Sequence, residues 1–205
     1  MKSIVIMAAI LIVFNYATCK KDCYGSNYSF ETMFNVYPNK EIVNLGDTIW
    51  LSMKQSVEMK DELTGKVIDF SNAAIGISIQ FIKFNFYHKD SLPERAANYF
   101  KIIVREGILI DDSYFPKDLV LPFYYVEKDK HYLFKIGLIA KEPGNYAFAT
   151  SDDKIYRKND LCTKAGLTQT YFNTIDTHLH IYEEHRPEYT PSFYEQKHMY
   201  FFRVR

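Results

Sequence analysis

The chain lacks an excess of either charge, an apolar run long enough to span a membrane, and the usual catalytic signatures. Its 205 residues carry 25 basic and 25 acidic side chains. A zero balance removes the ordinary electrostatic reason for binding nucleic acid, which needs clustered Lys and Arg. The apolar stretch "IVIMAAILIVF", from Ile4 to Phe14, falls short of the roughly 20 residues of a spanning helix. No serine stands in a G-x-S-x-G elbow, no H-E-x-x-H pattern occurs, and no glycine loop is built to cradle phosphate. Asp111-Asp112, Asp152-Asp153 and Glu183-Glu184 are sequence neighbours, whereas a glycosidase pair faces across a cleft. Low-complexity tracts and internal repeats are missing as well. These gaps point to a non-enzymatic protein with no cofactor.

Cysteine is scarce, and its placement is informative. Lys2 precedes the apolar run at the N-terminus, the pattern of a signal peptide over residues 1–18. The segment "FNYATCKKDC" follows. Within it, Tyr16-Ala17-Thr18-Cys19 resembles the lipobox of bacterial lipoproteins, with Tyr16 where that family has Leu and Thr18 where it has Gly, Ala or Ser. The resemblance implies that the Cys19 thiol receives diacylglycerol, that the leader is cut before it, and that the new N-terminus is acylated. Residues 19–27 would then be a lipid-anchored tether. The alternative is ordinary cleavage after Ala17, which leaves a soluble periplasmic or secreted protein. Three cysteines in an exported chain leave one over. If Cys19 carries lipid, Cys23 and Cys162 remain as a candidate disulfide in an oxidising compartment. The mature chain keeps 24 basic and 25 acidic residues, a net charge of −1.

What is abundant is aromatic. Seventeen Tyr and 16 Phe favour pleated, half-buried surfaces over helices. Residues 28–205 suit a single domain. "YSFETMFNVYP" predicts a first strand ending at Pro38. In "NLGDTIWLSM", Ile49, Leu51 and Met53 alternate with Thr48, Trp50 and Ser52. In "AAIGISIQFIKFNFYH", Ile75, Ile77, Ile79 and Phe81 share a face; the phase then flips to Ile82, Phe84 and Phe86, as a β-bulge or a strand changing sheets would produce. Phe100, Ile102 and Val104 alternate, and "DLVLPFYYVEKDKHYLFKIGLIAK" supplies two more strands, the first at a sheet edge because of Pro122. "KHMYFFRVR" reads as the last strand. Ser91 and Pro93 predict a short helix near 92–98. Ile175, His178, Leu179 and Tyr182 predict another near 174–186.

Short strands at turn-punctuated spacing, with little helix, give a mainly β chain and a β-sandwich. "LGDTIWLSM" resembles the second strand of immunoglobulin-like domains, and "EPGNYAF" resembles their tyrosine corner, with Tyr146 in the corner position. Taken with the N-terminus, the chain resembles uncharacterised immunoglobulin-like lipoproteins of Gram-negative cell envelopes. A lipocalin-like barrel is the alternative fold.

"DTHLHIYEEH" is the one stretch with metal-ligand character. On a helix His180 and Glu184 share one face, and His178 and His185 another. Only two ligands converge on either face, so His178, His180 and Glu184 are metal candidates only if a third ligand joins them, and the preferred reading is a solvated helix with His178 half-buried beside Tyr182 and no metal. The aromatic runs "PFYYV", "PSFYE" and "MYFF" serve either as core or as a binding surface. The reading is a lipid-anchored envelope protein, resident in the outer membrane or elsewhere in the cell envelope. It acts as an interaction or structural module toward an envelope protein or glycan. A carbohydrate-binding module would show at least two coplanar exposed aromatics in a line; a metal-dependent hydrolase would show the third ligand.

Overall fold

A computed structural model describes residues 28–84, 94–110, 120–151, 153–157, 160–173, 176–185, 187 and 192–205, with backbone alone at 94, 153–157, 160–170 and 193–195. Within them the strands are β1 (Phe30–Tyr37), β2 (Ile42–Val43), β3 (Thr48–Ser56), β4 (Glu58–Lys60), β5 (Val67–Asp69), β6 (Ala73–Ala74), β7 (Gly76–Phe84), β8 (Glu94–Arg95) and β9 (Phe100–Glu106). Then follow β10 (Ile108–Leu109), β11 (Val120–Tyr124), β12 (Val126–Lys128), β13 (His131–Ala140), β14 (Gly144–Thr150), β15 (Asp153–Arg157), β16 (Asp160–Phe172) and β17 (Met199–Val204). Helices α1 (His180–His185) and α2 (Phe193–His198) lie between the last two strands.

The strands form two large open-ended sheets and a two-stranded ribbon of β4 and β5. The first runs β12-β13-β3-β1-β16-β15-β6, with β9 also on β13; the second runs β10-β11-β7-β14-β17-β2, with β8 also on β7. Neither order closes on itself, so the molecule is a β-sandwich and not the barrel considered as the alternative. Strict alternation makes it so. In β1, Phe30, Thr32, Phe34 and Val36 are buried while Glu31, Met33, Asn35 and Tyr37 are exposed. In β3, Ile49, Leu51 and Met53 are buried. The inward rings interlock edge to face: Phe34 on Phe134 at 5.2 Å, Phe30 on Phe70 at 4.8 Å, and Phe100 on Tyr146 at 5.0 Å between centroids. Each such pair adds about 0.5–1.5 kcal/mol to the area it buries.

The tyrosine corner is in place. Tyr146 is buried, and its hydroxyl donates to the Glu142 carbonyl at 3.0 Å. Gly107, at φ +109°, carries the chain from β9 on one sheet to β10 on the other; a Cβ there would meet Phe134 Cδ2 at 3.0 Å and the Tyr124 carbonyl oxygen at 3.2 Å.

Four expectations change. The phase flip in β7 is neither a bulge nor a change of sheet, since its register with β14 is unbroken from Ile79 to Phe84. Ile82 and Phe84 point outward, and there a second cluster of Ala147, Ala149, Met199, Phe201, Ile181 and Tyr182 covers them. The strand is apolar on both faces because α1 lies across its outer one. The helix near 92–98 is a single 3₁₀ turn at Ala97–Tyr99, preceded by β8; Ser91 and Pro93 lie outside the described residues. The helix near 174–186 is cut to His180–His185. Asp176 accepts the His178 amide at 2.6 Å, and this local turn holds His178 at φ 56°, outside helical geometry. Finally, Pro122 is one strand in from the edge. Its carbonyl accepts from the Ile110 amide at 2.9 Å, on the side of the two-residue β10. The missing proline donor faces that same side and costs β7 nothing.

Candidate functional site

Because side chains alternate across a strand, the polar phase of β1, β3, β13 and β9 shows what the first sheet offers to solvent. Cross-strand register sorts it into two rows. Tyr37 stands opposite Trp50, Trp50 opposite Gly137, and Gly137 opposite Ile103. Two residues along, Asn35 stands opposite Ser52, Ser52 opposite Lys135, and Lys135 opposite Glu106. Asn173, just past β16, extends this second row by donating from Nδ2 to Asn35 Oδ1 at 3.2 Å. One row is aromatic and apolar; the other is amide, hydroxyl, amine and carboxylate.

The aromatic row is built around a glycine. A Cβ at position 137 would lie 2.9 Å from both Trp50 Cζ3 and Thr48 Cγ2, so the indole occupies the space a side chain would take. An aromatic ring laid over a strand glycine replaces the missing packing. Lys135 Nζ sits 5.3 Å from the Trp50 ring centroid, within range of a cation–π contact. Tyr37 is 74% exposed, higher than any other large apolar or aromatic side chain among the described residues. Lys54, Lys101 and Glu31 flank the rows.

Sequence reading placed Trp50 on the polar phase of β3 but did not join it to Tyr37, Gly137 or Lys135. The signal was a large aromatic in the phase otherwise given to Thr48, Ser52 and Lys54. Of the two readings of the aromatic runs, core is the one that holds for "PFYYV" and "MYFF": Phe123, Tyr125, Met199, Tyr200, Phe201 and Phe202 are all buried, and Tyr124 alone in these two runs is exposed. The side chains at 193–195 of "PSFYE" lie outside the described residues.

The histidine stretch forms a fastening between α1 and the second sheet. His180 and Glu184 share a helix face, as the spacing predicts. His180 Nε2 is 3.4 Å from Glu41 Oε2, Arg203 Nε donates to Glu41 Oε1 at 3.0 Å, and Arg203 Nη2 donates to both oxygens of Glu184 at 2.9 and 2.8 Å. The Arg203 bond, with help from His180, holds the Glu41 carboxyl below its ordinary range. His178 is separate and is not on the helix. It is buried, its Nδ1 lies 3.3 Å from Asp176 Oδ2, and its ring meets Tyr200 edge to face at 5.5 Å. The amide of His178 lowers the Asp176 carboxyl in turn. His178, His180 and Glu184 thus have three different partners. Among the described residues no group of three or more His, Cys, Asp or Glu is placed to hold a metal ion.

Cys19 and Cys23 lie outside the described residues, as do the leader over 1–18 and the tether over 19–27. Cys162 is on β16. No described helix is long and apolar enough to cross a membrane.

No protein-family model matches the sequence, and no curated protein does. Solved structures of similar shape include the reeler domain of human F-spondin, 11% identical over 70% of this chain and 88% of that one, with a TM-score of 0.35. A non-cellulosomal cohesin from the archaeon Archaeoglobus fulgidus is 8% identical over 88% and 92%, with a TM-score of 0.34. AvmM, described as catalysing macrocyclization in alchivemycin A biosynthesis, is 8% identical over 84% and 88%, with a TM-score of 0.33. At such identities and scores these likenesses transfer no partner, site or activity to this chain.

Proposed function

We propose that this protein is a non-enzymatic, lipid-anchored component of the cell envelope whose sandwich is an interaction module. An acylated Cys19 gives membrane residence, and the outer face of the first sheet gives a rigid display surface. The observation that carries the reading is a contrast. The space between the sheets is filled with interlocked rings, while exposed Tyr37 and half-buried Trp50 stand outside it on the outer face of the first sheet. Aromatic side chains held on a stiff strand lose little conformational freedom on binding, which is why they anchor partners. The partner is an envelope protein or glycan.

A pull-down from detergent-solubilised envelopes with tagged full-length protein tests this. The expected result is a specific protein or glycan retained by the wild type and lost with Tyr37→Ala. Recovery of nothing beyond the tag-only control would refute it.

A further inference from the structure

The partner's chemistry is written in the two rows. We infer that they form a binding face for a neutral glycan chain, an assignment that rests on the interaction-module reading above and narrows it. A sugar ring has a C–H face that stacks on aromatic surfaces and a rim of hydroxyls that both donate and accept hydrogen bonds. The outer face of the first sheet presents the complement. Tyr37 and Trp50 offer stacking surface in one row. Asn173, Asn35, Ser52, Lys135 and Glu106 offer amide, hydroxyl, ammonium and carboxylate groups in the next.

The spacing supports a chain over a single sugar. The rows are two residues apart along β1, β3 and β13, about 7 Å, and neighbouring strands are about 4.8 Å apart. The polar row crosses five strands or their ends, from Asn173 beyond β16 to Glu106 on β9, and so spans about 19 Å. The ligand lies across the strands with its apolar faces on Tyr37 and Trp50 and its hydroxyl edge along Asn35 and Ser52.

Charge selects a neutral ligand. The two ionised members of the polar row, Lys135 and Glu106, are cross-strand partners of opposite sign. With Lys54, Lys101 and Glu31 beside the rows the face carries three cations and two anions, so no strong field of either sign draws polyanions or basic peptides from a distance. Lys135 and Glu106 both remain as strong directional partners for hydroxyls. Lys135, now over the indole at 5.3 Å, is a long flexible chain that a stacked sugar displaces at little cost.

Trp50 makes the test direct, because it is the chain's single tryptophan and its emission reports on this face alone. Full-length protein in detergent is titrated with cellohexaose, chitohexaose and maltohexaose, and in parallel with polygalacturonate and heparin. The expected result is a saturable emission shift with at least one neutral hexasaccharide and none with the polyanions. Tyr37→Ala and Asn35→Ala each weaken that binding about tenfold, the scale of one stacking or hydrogen-bond contact, with unchanged thermal midpoints. Silence from all three neutral sugars, response to polyanions alone, or binding that both substitutions leave intact would overturn the assignment. The pull-down separates this failure from that of the parent reading. A specific protein captured through Tyr37 while the sugars are silent rejects the glycan and keeps the module. Capture of nothing, with silent sugars, rejects both.

Discussion

A methyl group at position 137 would stand 2.9 Å from Trp50 Cζ3, closer than carbon atoms approach without something moving. The indole cannot sink, because the sheet is beneath it, so it must lift or turn. Gly137→Ala is therefore expected to destabilise by about 1–3 kcal/mol, the usual range for overpacking, and to shift tryptophan emission. Urea denaturation followed by fluorescence checks both; an unchanged midpoint and spectrum would mean the ring is not seated there. Asp61 shows the same local economy in a loop. It is buried and accepts from the amides of Ser29, Leu63 and Thr64 and from the Thr64 hydroxyl. The Thr64 hydroxyl, then the Ser29 amide, lowers its carboxyl below the ordinary value. A lowered folded value means stability present above about pH 4, where the unfolded carboxyl is ionised, and lost as pH falls through the folded value. Asp61→Asn is expected to be less stable than wild type at neutral pH and to lose less on acidification. Parallel acid-unfolding profiles would show that Asp61 contributes none of the pH dependence. Of these residues, Tyr146 was legible in the sequence because its hydroxyl reaches back only to Glu142. Asp61 was not, since Ser29 is 32 residues away, and Gly137 meets Trp50 only through register.

Elements were legible where one face is buried and obscured where two are. β1 and β3 alternate cleanly and were read correctly. In β7 the apolar residues of both faces ran together, because α1 covers the outer face at Ile82 and Phe84. The helix itself was overextended because Asp176 takes the His178 amide before the first helical turn. A six-residue helix holds itself weakly, so its docking decides whether it forms. Ile181 is fully buried on that face. Ile181→Ala is expected to cost about 2–5 kcal/mol. Amide exchange in α1 should accelerate more than in β3 if the helix opens locally. Equal acceleration in both would mean α1 and the sandwich unfold only together. The edge strand β9 carries another device. Glu106 pairs with Lys135 and Val104 with Ile136, leaving Arg105 as an extra residue. A charged bulge of this kind discourages pairing with a second molecule along the edge.

At the scale of the whole molecule, period-two patterning was enough for two layers of β-sheet, and the order of strands within them was beyond it. The parallel pairings of β1 with β16 and of β2 with β17 join strands that are far apart in sequence. Turn residues do not encode them. The outer-face rows share that limit, since they draw on β1, β3, β13 and β9, and register alone aligns them. The proposed address of the protein, by contrast, lies wholly in its first residues. The proposed function joins the two: a rigid face held at a membrane by one modified cysteine. The most direct test is the intact mass of the protein purified from its native host. The account predicts a chain beginning at Cys19 and heavier than its sequence by a diacylglyceryl group and an N-terminal acyl chain, with the addition lost in Cys19→Ala. A mass matching the unprocessed chain from Met1, or an unmodified mature chain, would contradict it.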